Sequence, residues 1–277
     1  PATHRALFFE ALEARKHVFI EKPLALSIAE AREMAEAARA AQTAIRIGYM
    51  LRSHRDAIRA KRRLSEGAVG TPLTCLNLVV PPKGKPWNPP FPTPPKTGAR
   101  FGEPDPENPD RLALDAWSDN SVHYLNLMQW WFGPVQSVFA HARNPGPTMM
   151  LRYRNGVLAT HLLAPARVQE RRDFAIFGDK GAIELRLHYP MQRNSIGHFK
   201  EIDIAAETKT ASLGDHSDMY LEELLGFARA IRDGETGDPH GDFAMAIHDL
   251  LTVKAAHRSS RERREVDLAE IEGLCAR

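Results

Sequence analysis

Two short motifs in the chain combine residue types that can do chemistry. Glu21-Lys22-Pro23 follows a short apolar run, so its lysine would stand beyond the carboxyl end of a strand, where ligands bind in open α/β sheets. Asp119 precedes His123 by four residues, which puts both side chains on one face of a helix. A carboxylate in that place can orient an imidazole that accepts a proton near neutral pH. The motifs therefore predict a ligand-binding lysine and a general base.

Both motifs also allow a purely structural interpretation. Lys22 can be a surface lysine after a strand, and Asp119 and His123 can be a helix N-cap and a satisfied core histidine. Two such side chains can hold a metal ion, but no third ligand stands near them in sequence, so we predict no metal site. Tyr49 and Arg52 follow a second predicted strand on the same edge as Lys22, and we consider them candidate ligand contacts.

Composition excludes several classes of protein. The 277 residues include 37 basic and 35 acidic side chains, which leaves a net charge of +2. This balance favours neither nucleic acid nor a membrane surface as a partner, and no apolar run reaches the roughly 18 residues of a membrane span. Cys75 and Cys275 form no CxxC motif, which is typical of a reducing compartment. We therefore expect a cytoplasmic protein.

The elements that must position the two motifs change character near residue 70. Before it, a helical segment leads to a short strand at 17–23, an alanine-rich helix that starts with the capping box Ser27–Glu30, and a strand at 44–50. This strand–helix–strand order predicts a parallel sheet. After residue 70, closely spaced strands with short turns predict an antiparallel sheet. The predicted strands of this second part are 71–80, 135–143, 148–154, 156–164, 171–179 and 182–188, and its predicted helices are 116–132, 217–233 and 240–260.

Residues 81–110 separate these elements with 11 of the chain's 20 prolines. Proline at this density is incompatible with helix or sheet interiors. PxxP spacing also allows a ligand for an SH3-type domain. Because the segment lies inside a domain, we favour a surface loop or lid over a site, anchored by Trp87 and Phe91.

With these motifs placed, nearly the whole chain resembles the Gfo/Idh/MocA family, nicotinamide-dependent oxidoreductases of sugars, inositols and related polyols. The similar segments occur in the family's order and are 1–27 with its EKP motif, GYMLRSH at 48–54, LSEGAVGTPLT at 64–74, DNSVHYLN at 119–126 and GDKGAIEL at 178–185. The resemblance implies the C-terminal part of a Rossmann-type parallel sheet over 1–68. It implies a substrate and oligomerisation domain, with an open and mainly antiparallel sheet flanked by helices, over 69–277.

The sequence departs from the family pattern at three places. Ser121 stands where the family usually has glycine, and Asn126 stands where it usually has aspartate, so this side chain can hydrogen-bond but cannot act as a base. The family's glycine-rich phosphate loop would precede Pro1, and no GxGxxG occurs in the chain. We expect about 80 residues of the family's pattern to be missing, at roughly 30 residues per βαβ step, and weak cofactor binding by the chain alone.

The resemblance assigns roles to the motif residues. It implies NAD or NADP as cofactor, a polyol or sugar as substrate, and a homodimer or homotetramer formed through the open sheet. Lys22, Asp119 and His123 would be catalytic: the lysine would bind the reacting hydroxyl, the histidine would take its proton, and the aspartate would orient the histidine. The implied cofactor contacts are His4, Glu21, Lys22 and Pro23, with a cis bond before the proline, and the implied substrate contacts are Tyr49, Arg52 and Asn126.

Two further functions stay open at the level of sequence. One is a glycosidase of the same fold that uses bound NAD for transient oxidation. The other is a binding or regulatory protein without catalysis, which the absent phosphate loop and the altered Ser121 and Asn126 would favour.

Overall fold

A computed structural model of the chain describes residues 3–80, 116–141, 148–164, 171–188, 197–215 and 217–275, without the side chains of 116–119 and 275. The proline-rich segment 81–110, for which we predicted a loop or lid, lies outside the described residues. No helix in the described ranges is long and apolar enough to cross a membrane.

The first part of the chain builds a two-stranded parallel sheet, as predicted. Its elements are α1 (His4–Glu13), β1 (Val18–Glu21), α2 (Ile28–Ala40), β2 (Ile45–Gly48), a short 3-10 helix (Met50–Ser53) and α3 (Arg55–Ser65). The strands pair in register from Val18 opposite Ile45 to Glu21 opposite Gly48. The Ser27 hydroxyl accepts a hydrogen bond from the Glu30 amide at 3.1 Å, which caps α2 where the sequence placed its start.

The second part contains the remaining strands and helices. They are β3 (Pro72–Val80), α4 (Ala116–Phe132), β4 (Val135–His141), β5 (Thr148–Tyr153), β6 (Leu158–Leu163), β7 (Arg171–Gly178), β8 (Gly181–Arg186), β9 (His198–Asp203), β10 (Thr208–Leu213), α5 (Met219–Arg232), α6 (Asp242–Glu262), β11 (Val266–Asp267) and α7 (Leu268–Cys275). All six predicted strands and all three predicted helices of this part are present.

These strands form one nine-stranded sheet in the order β10-β9-β8-β7-β3-β6-β5-β4-β11. All neighbours are antiparallel except β3 and β6, which run parallel. The sheet is therefore open and mainly antiparallel, as predicted. One of its faces carries side chains that are buried against helices, among them Cys75, Leu151 and Ile176. The opposite face exposes Phe139, Met150 and other apolar side chains.

Two helices join the two sheets. Helix α6 packs against α2 on one side and against β4 on the other, while α4 packs against α6 and the 3-10 helix. Most of α6 is buried, including Phe243, Leu250 and Val253, which is expected of a helix that packs on several sides. This packing brings the carboxyl end of β1 towards α4, and so brings the two motifs together.

Candidate active site

Lys22 directly follows β1, at the edge where the parallel strands β1 and β2 both end. The peptide bond between Lys22 and Pro23 is cis, as the resemblance implied. Pro23 is buried and Leu24 is fully buried, so the turn is anchored in the core, while the Lys22 side chain remains partly exposed. This edge is where open α/β sheets bind ligands.

His4 lies beside the same turn. Its Nδ1 donates a hydrogen bond to the Leu24 carbonyl at 3.2 Å, and burial lowers the pKa of its imidazole. The structure thus places His4 next to the Lys22 turn, and its contact with a cofactor stays a prediction.

His123 lies on α4, half-buried, with an electropositive neighbourhood. Burial lowers the pKa of its imidazole well below the usual range, and the positive charges of Lys22 and Arg172 lower it further. The ring is therefore neutral at neutral pH and able to accept a proton. Its Nδ1 is buried and has no hydrogen-bond partner among the described residues. Asp119 stands one turn earlier on α4, but its side chain lies outside the described part of the chain.

Arg172 is a site residue that sequence motifs did not single out. Its Nε donates a hydrogen bond to the Tyr124 hydroxyl at 3.0 Å, and its charge acts on His123, the neighbour of Tyr124 on α4. Arg172 occupies an inward position of β7, in alternation with buried Phe174 and Ile176. A charged residue at such a position was the available sequence signal, because arginine is almost never buried without a function or partner.

His54 and His188 also belong to this neighbourhood, although their spacing in sequence suggested nothing. Both are buried. Burial lowers the pKa of His54, the carboxylates of Asp56 and Asp215 oppose this shift, and the nearby His188 and Arg172 reinforce it. The His54 Nδ1 accepts a hydrogen bond from the Asp56 amide at 3.2 Å, which caps α3. Strand β7, the segment after β8 and the N-cap of α3 thus deliver three basic side chains to one place.

Tyr49 and Asn126 share an interior partner, Asp249 of α6. Asn126 is fully buried, and its Nδ2 donates to Asp249 Oδ2 at 2.7 Å. The side chain of Tyr49, also buried, is hydrogen-bonded to the same carboxyl group. Burial raises the pKa of Asp249 to about 8, although both hydrogen bonds and the nearby Arg52 oppose the shift. For Tyr49 and Asn126, contact with substrate stays a prediction.

Arg52 pairs with a buried carboxylate rather than standing free. Its guanidinium forms an ion pair with Asp242, which is only 1% exposed, and lies 5.7 Å from the centre of the Tyr49 ring. Arg52, Tyr49 and Asp242 line an open cavity of about 510 Å³ together with Phe19, Arg46, Ile47, Ser53, Trp130, Glu223, Gly226, Phe227, Arg229, Ala230, Asp233, Glu235 and His240. Lys22 and His123 do not line this cavity. The structure therefore separates the predicted residues into a Lys22–His123 group and a Tyr49–Arg52–Asn126 group around Asp249 and Asp242.

The buried Asp249 predicts a pH dependence of stability. The folded protein holds the Asp249 proton up to about pH 8, whereas the unfolded chain releases it near pH 4. Unfolding thus releases a proton between these values, so this group makes stability fall as pH rises from 5 to 8. We expect Asp249→Asn to flatten the decline of Tm over this range, measured by calorimetry. Glu36→Gln, on the exposed side of α2, should keep the parental slope, and an unchanged slope in Asp249→Asn would contradict the raised pKa.

Comparison with known proteins decides the family. Residues 111–268, more than half of the chain, match the family model of the Gfo/Idh/MocA oxidoreductase C-terminal alpha/beta domain. Residues 1–49 match the model of the same family's NAD-binding Rossmann fold. The chain belongs to the Gfo/Idh/MocA oxidoreductase family. The predicted family, fold class, oxidoreductase activity and nicotinamide cofactor are confirmed.

Curated relatives of this family member include inositol dehydrogenases. The chain is 31% identical to an inositol 2-dehydrogenase of Acidothermus cellulolyticus, over 94% of this chain and 71% of that protein. It is 25% identical to a myo-inositol 2-dehydrogenase of Thermotoga maritima, over 98% of this chain and 78% of the relative.

Solved structures of similar fold include a levoglucosan dehydrogenase in complex with NADH and levoglucosan, with a TM-score of 0.72 and 18% identity over 96% of this chain and 77% of that one. An aldose-aldose oxidoreductase from Caulobacter crescentus, complexed with glycerol, has a TM-score of 0.70 and 19% identity over 96% and 76% of the two chains. At this identity the likeness shows the fold.

The described residues fit the reactive end of the nicotinamide cofactor that the family implies. Lys22 stands at the carboxyl edge of two parallel strands, and the half-buried His123 leaves its Nδ1 without a protein partner in the described ranges. A cation and a neutral imidazole near each other suit the two needs of alcohol oxidation, charge stabilisation on oxygen and proton removal. Within the same ranges, no group of three or more His, Cys, Asp and Glu side chains is arranged to hold a metal ion.

Proposed function

We propose that this protein transfers hydride between the nicotinamide of NAD or NADP and a hydroxyl carbon of an inositol, a sugar or a related polyol. The observation that carries the proposal is the neighbourhood of Lys22 and a neutral His123 at the carboxyl edge of the parallel strands. The inositol dehydrogenases among the relatives and the levoglucosan dehydrogenase of similar fold support the substrate class.

In this proposal each residue of the site has a defined task. When bound, the nicotinamide supplies the hydride acceptor. Lys22 donates a hydrogen bond to the reacting hydroxyl oxygen and stabilises the negative charge that develops there. His123 takes the hydroxyl proton on Nε2. Asp119 accepts a hydrogen bond from the His123 Nδ1, the buried atom that lacks a partner in the described part of the chain.

The remaining predicted residues keep supporting tasks in the proposal. Glu21 and Pro23 shape the turn that presents Lys22, and His4 steadies it through the Leu24 carbonyl. Tyr49, Arg52 and Asn126 stay proposed substrate contacts. Their bonds to the carboxylates of α6 would then orient them, as outer partners orient the groups that touch a ligand.

We also propose a domain boundary between residues 68 and 69. Helix α3 ends at Ser65, and β3 begins at Pro72. Between them Gly70 has a φ of 69°, and a Cβ on it would lie 1.9 Å from Asp179 Oδ1. A glycine is therefore required for this tight passage from one part to the next.

An absorbance assay at 340 nm with NAD or NADP and a panel of inositols and sugars tests the proposed function. We expect reduced cofactor to accumulate with at least one polyol, using the product of the complete gene. A glycosidase that oxidises its substrate transiently would release an aglycone without net change at 340 nm. A binding protein would give neither signal, and calorimetry would detect no nicotinamide binding.

We further propose that the exposed face of the nine-stranded sheet is the interface of a homo-oligomer. Phe139 on β4, Met150 on β5 and Leu76 on β3 are 44%, 58% and 50% exposed. Residue pairing places Phe139 opposite Met150, Met150 opposite Thr160, and Thr160 opposite Leu76. Such a largely apolar row, in which Thr160 is the one polar member among these four residues, is typical of a surface that another chain covers.

Met150→Lys is expected to convert this oligomer into monomers, because it puts a charge at the centre of the apolar row. Light scattering after size-exclusion chromatography measures the mass, and circular dichroism checks that the variant is folded. Leu7→Lys, which changes a residue 58% exposed on α1, serves as the control and should leave the mass unchanged. A monomeric parent protein, or an unchanged mass in Met150→Lys, would contradict this interface.

A further inference from the structure

Three buried polar side chains connect α4 to the nine-stranded sheet. Ser121 Oγ lies 2.9 Å from His161 Nε2, and His161 Nδ1 lies 2.6 Å from Asn77 Oδ1. Ser121 and His161 are fully buried and Asn77 is 2% exposed. Asn77 comes from β3 and His161 from the neighbouring strand β6, where the two residues are directly opposite each other.

The hydrogen bond that the Asn77 amide group donates outside the network fixes the direction of the hydrogen bonds within it. Asn77 Nδ2 donates to the Asp173 carbonyl of β7 at 3.1 Å, so the Asn77 Oδ1 is the acceptor for His161. His161 must therefore carry its hydrogen on Nδ1, and its Nε2 accepts a hydrogen bond from the Ser121 hydroxyl. Burial lowers the pKa of His161 to about 4, so the ring stays neutral at neutral pH.

This arrangement has the donor order of a serine–histidine–asparagine nucleophile system, but its chemistry differs. A serine nucleophile must be reached by substrate and activated by a competent base. Ser121 and His161 have no exposed surface, so no substrate can reach either side chain. The role of the network is therefore structural: its hydrogen bonds fix α4, the helix that carries His123, to the sheet.

The geometry of α4 links the network to His123. Ser121 and Tyr124 are three residues apart and share one face, and the Tyr124 ring stacks on His161 with centroids 5.5 Å apart. His123 is rotated by about 200° from Ser121 around the axis, on the side that faces Lys22. A side chain lies about 5–6 Å from the axis of a helix, so a 10° rotation of α4 would move the His123 ring by about 1 Å.

We propose that Ser121, His161 and Asn77 are positioning residues that fix the rotation of α4 and thereby hold the His123 imidazole in register with Lys22. The inference rests on the proposed function for its kinetic consequence only, since the placement of His123 is measurable without substrate. Misplacement of a reacting group by about 1 Å can lower the reaction rate as much as 100-fold. Loss of a single hydrogen bond of the network is therefore expected to lower kcat about tenfold.

Ser121→Ala tests the kinetic consequence. We expect kcat to fall about tenfold at 25 °C with KM changed less than twofold, because the base is misplaced while the ligand contacts remain. Ser259→Ala is the matched control: this serine is also fully buried on a helix, with hydrogen bonds to Ala140 and Arg264. The control should lower Tm and leave kcat unchanged. An unchanged kcat in Ser121→Ala, or equal losses of kcat in both variants, would overturn the positioning role.

Nitrogen NMR of the histidine rings tests the placement without any turnover. The parent should show His161 as the neutral Nδ1–H tautomer from pH 5 to 8, and Ser121→Ala should shift the resonances of both His161 and His123. Ser121→Cys keeps the volume and a weak donor, so it should retain the parental His123 resonance more closely and covers the case in which Ser121→Ala fails to fold. If the His123 resonances are unmoved in a folded variant, the proposal is wrong. A parent without turnover on any polyol would contradict the proposed function, and the NMR result would still decide the placement.

Discussion

His123→Ala is expected to lower kcat for the NAD(P)-linked oxidation about 1,000-fold, within the range that general bases contribute. The reason is that the hydroxyl proton then has no acceptor at the site. In the parent protein, kcat/KM should decrease with falling pH only below about pH 6.5, the ordinary pKa of histidine. The reason is that burial and the charges of Lys22 and Arg172 lower the pKa of His123. Steady-state rates at 340 nm over pH 4.5–9 provide the measurement.

His141→Ala is the control for the histidine substitution. His141 is exposed at the end of β4, so its loss should leave kcat within twofold of the parent. If His123→Ala retained more than a tenth of the parental kcat with an unchanged circular dichroism spectrum, His123 would not be the base. An acid limb well above pH 6.5 in the parent would likewise contradict the lowered pKa.

Lys22→Met is expected to lower kcat/KM by about 100- to 1,000-fold, the range found when a single stabilising donor is removed from a developing oxyanion. Methionine keeps most of the length and apolar volume of lysine but carries no charge. Because the Lys22 charge lowers the pKa of His123, its removal should raise that pKa and move the acid limb of the remaining activity to higher pH. The same assay over the same pH range measures both effects.

Lys16→Met, which changes an exposed lysine before β1, is the control and should alter neither quantity. A Lys22→Met variant with reduced rate and an unmoved acid limb would show that Lys22 acts without an electrostatic influence on His123. A variant with the parental rate would remove Lys22 from the active site.

The sequence was informative wherever a signal is local. Strand–helix–strand order predicted the parallel pair β1–β2, and closely spaced strand-like runs separated by turn signals predicted β3 to β8. Strands β9 and β10 were both missed; all six residues of β10 are exposed, which leaves no apolar alternation to detect there. Strand β11 has two residues, too few for any periodic signal. The helix α7 that follows it was not predicted either.

In the site, too, only the residues that stand in local motifs were predictable from the sequence. Lys22 and His123 stand in short motifs whose spacing carries chemistry, so they could be singled out. Arg172 and His188 come from separate strands, and only the folded sheet places them near His123 and His54. In the same way, the interior partner of Asn126 is 123 positions away at Asp249, a pairing that no spacing rule connects.

Hydride transfer itself is the most direct test of the central claim. The complete gene product is incubated with NAD or NADP and an inositol that carries deuterium on its hydroxyl carbons, and the reduced cofactor is analysed by mass spectrometry. The account predicts one deuterium in each reduced nicotinamide, and loss of this product in His123→Ala and Lys22→Met. Reduced nicotinamide without deuterium, or deuterium transfer at the parental level in both variants, would contradict transfer from a polyol carbon at the Lys22–His123 site.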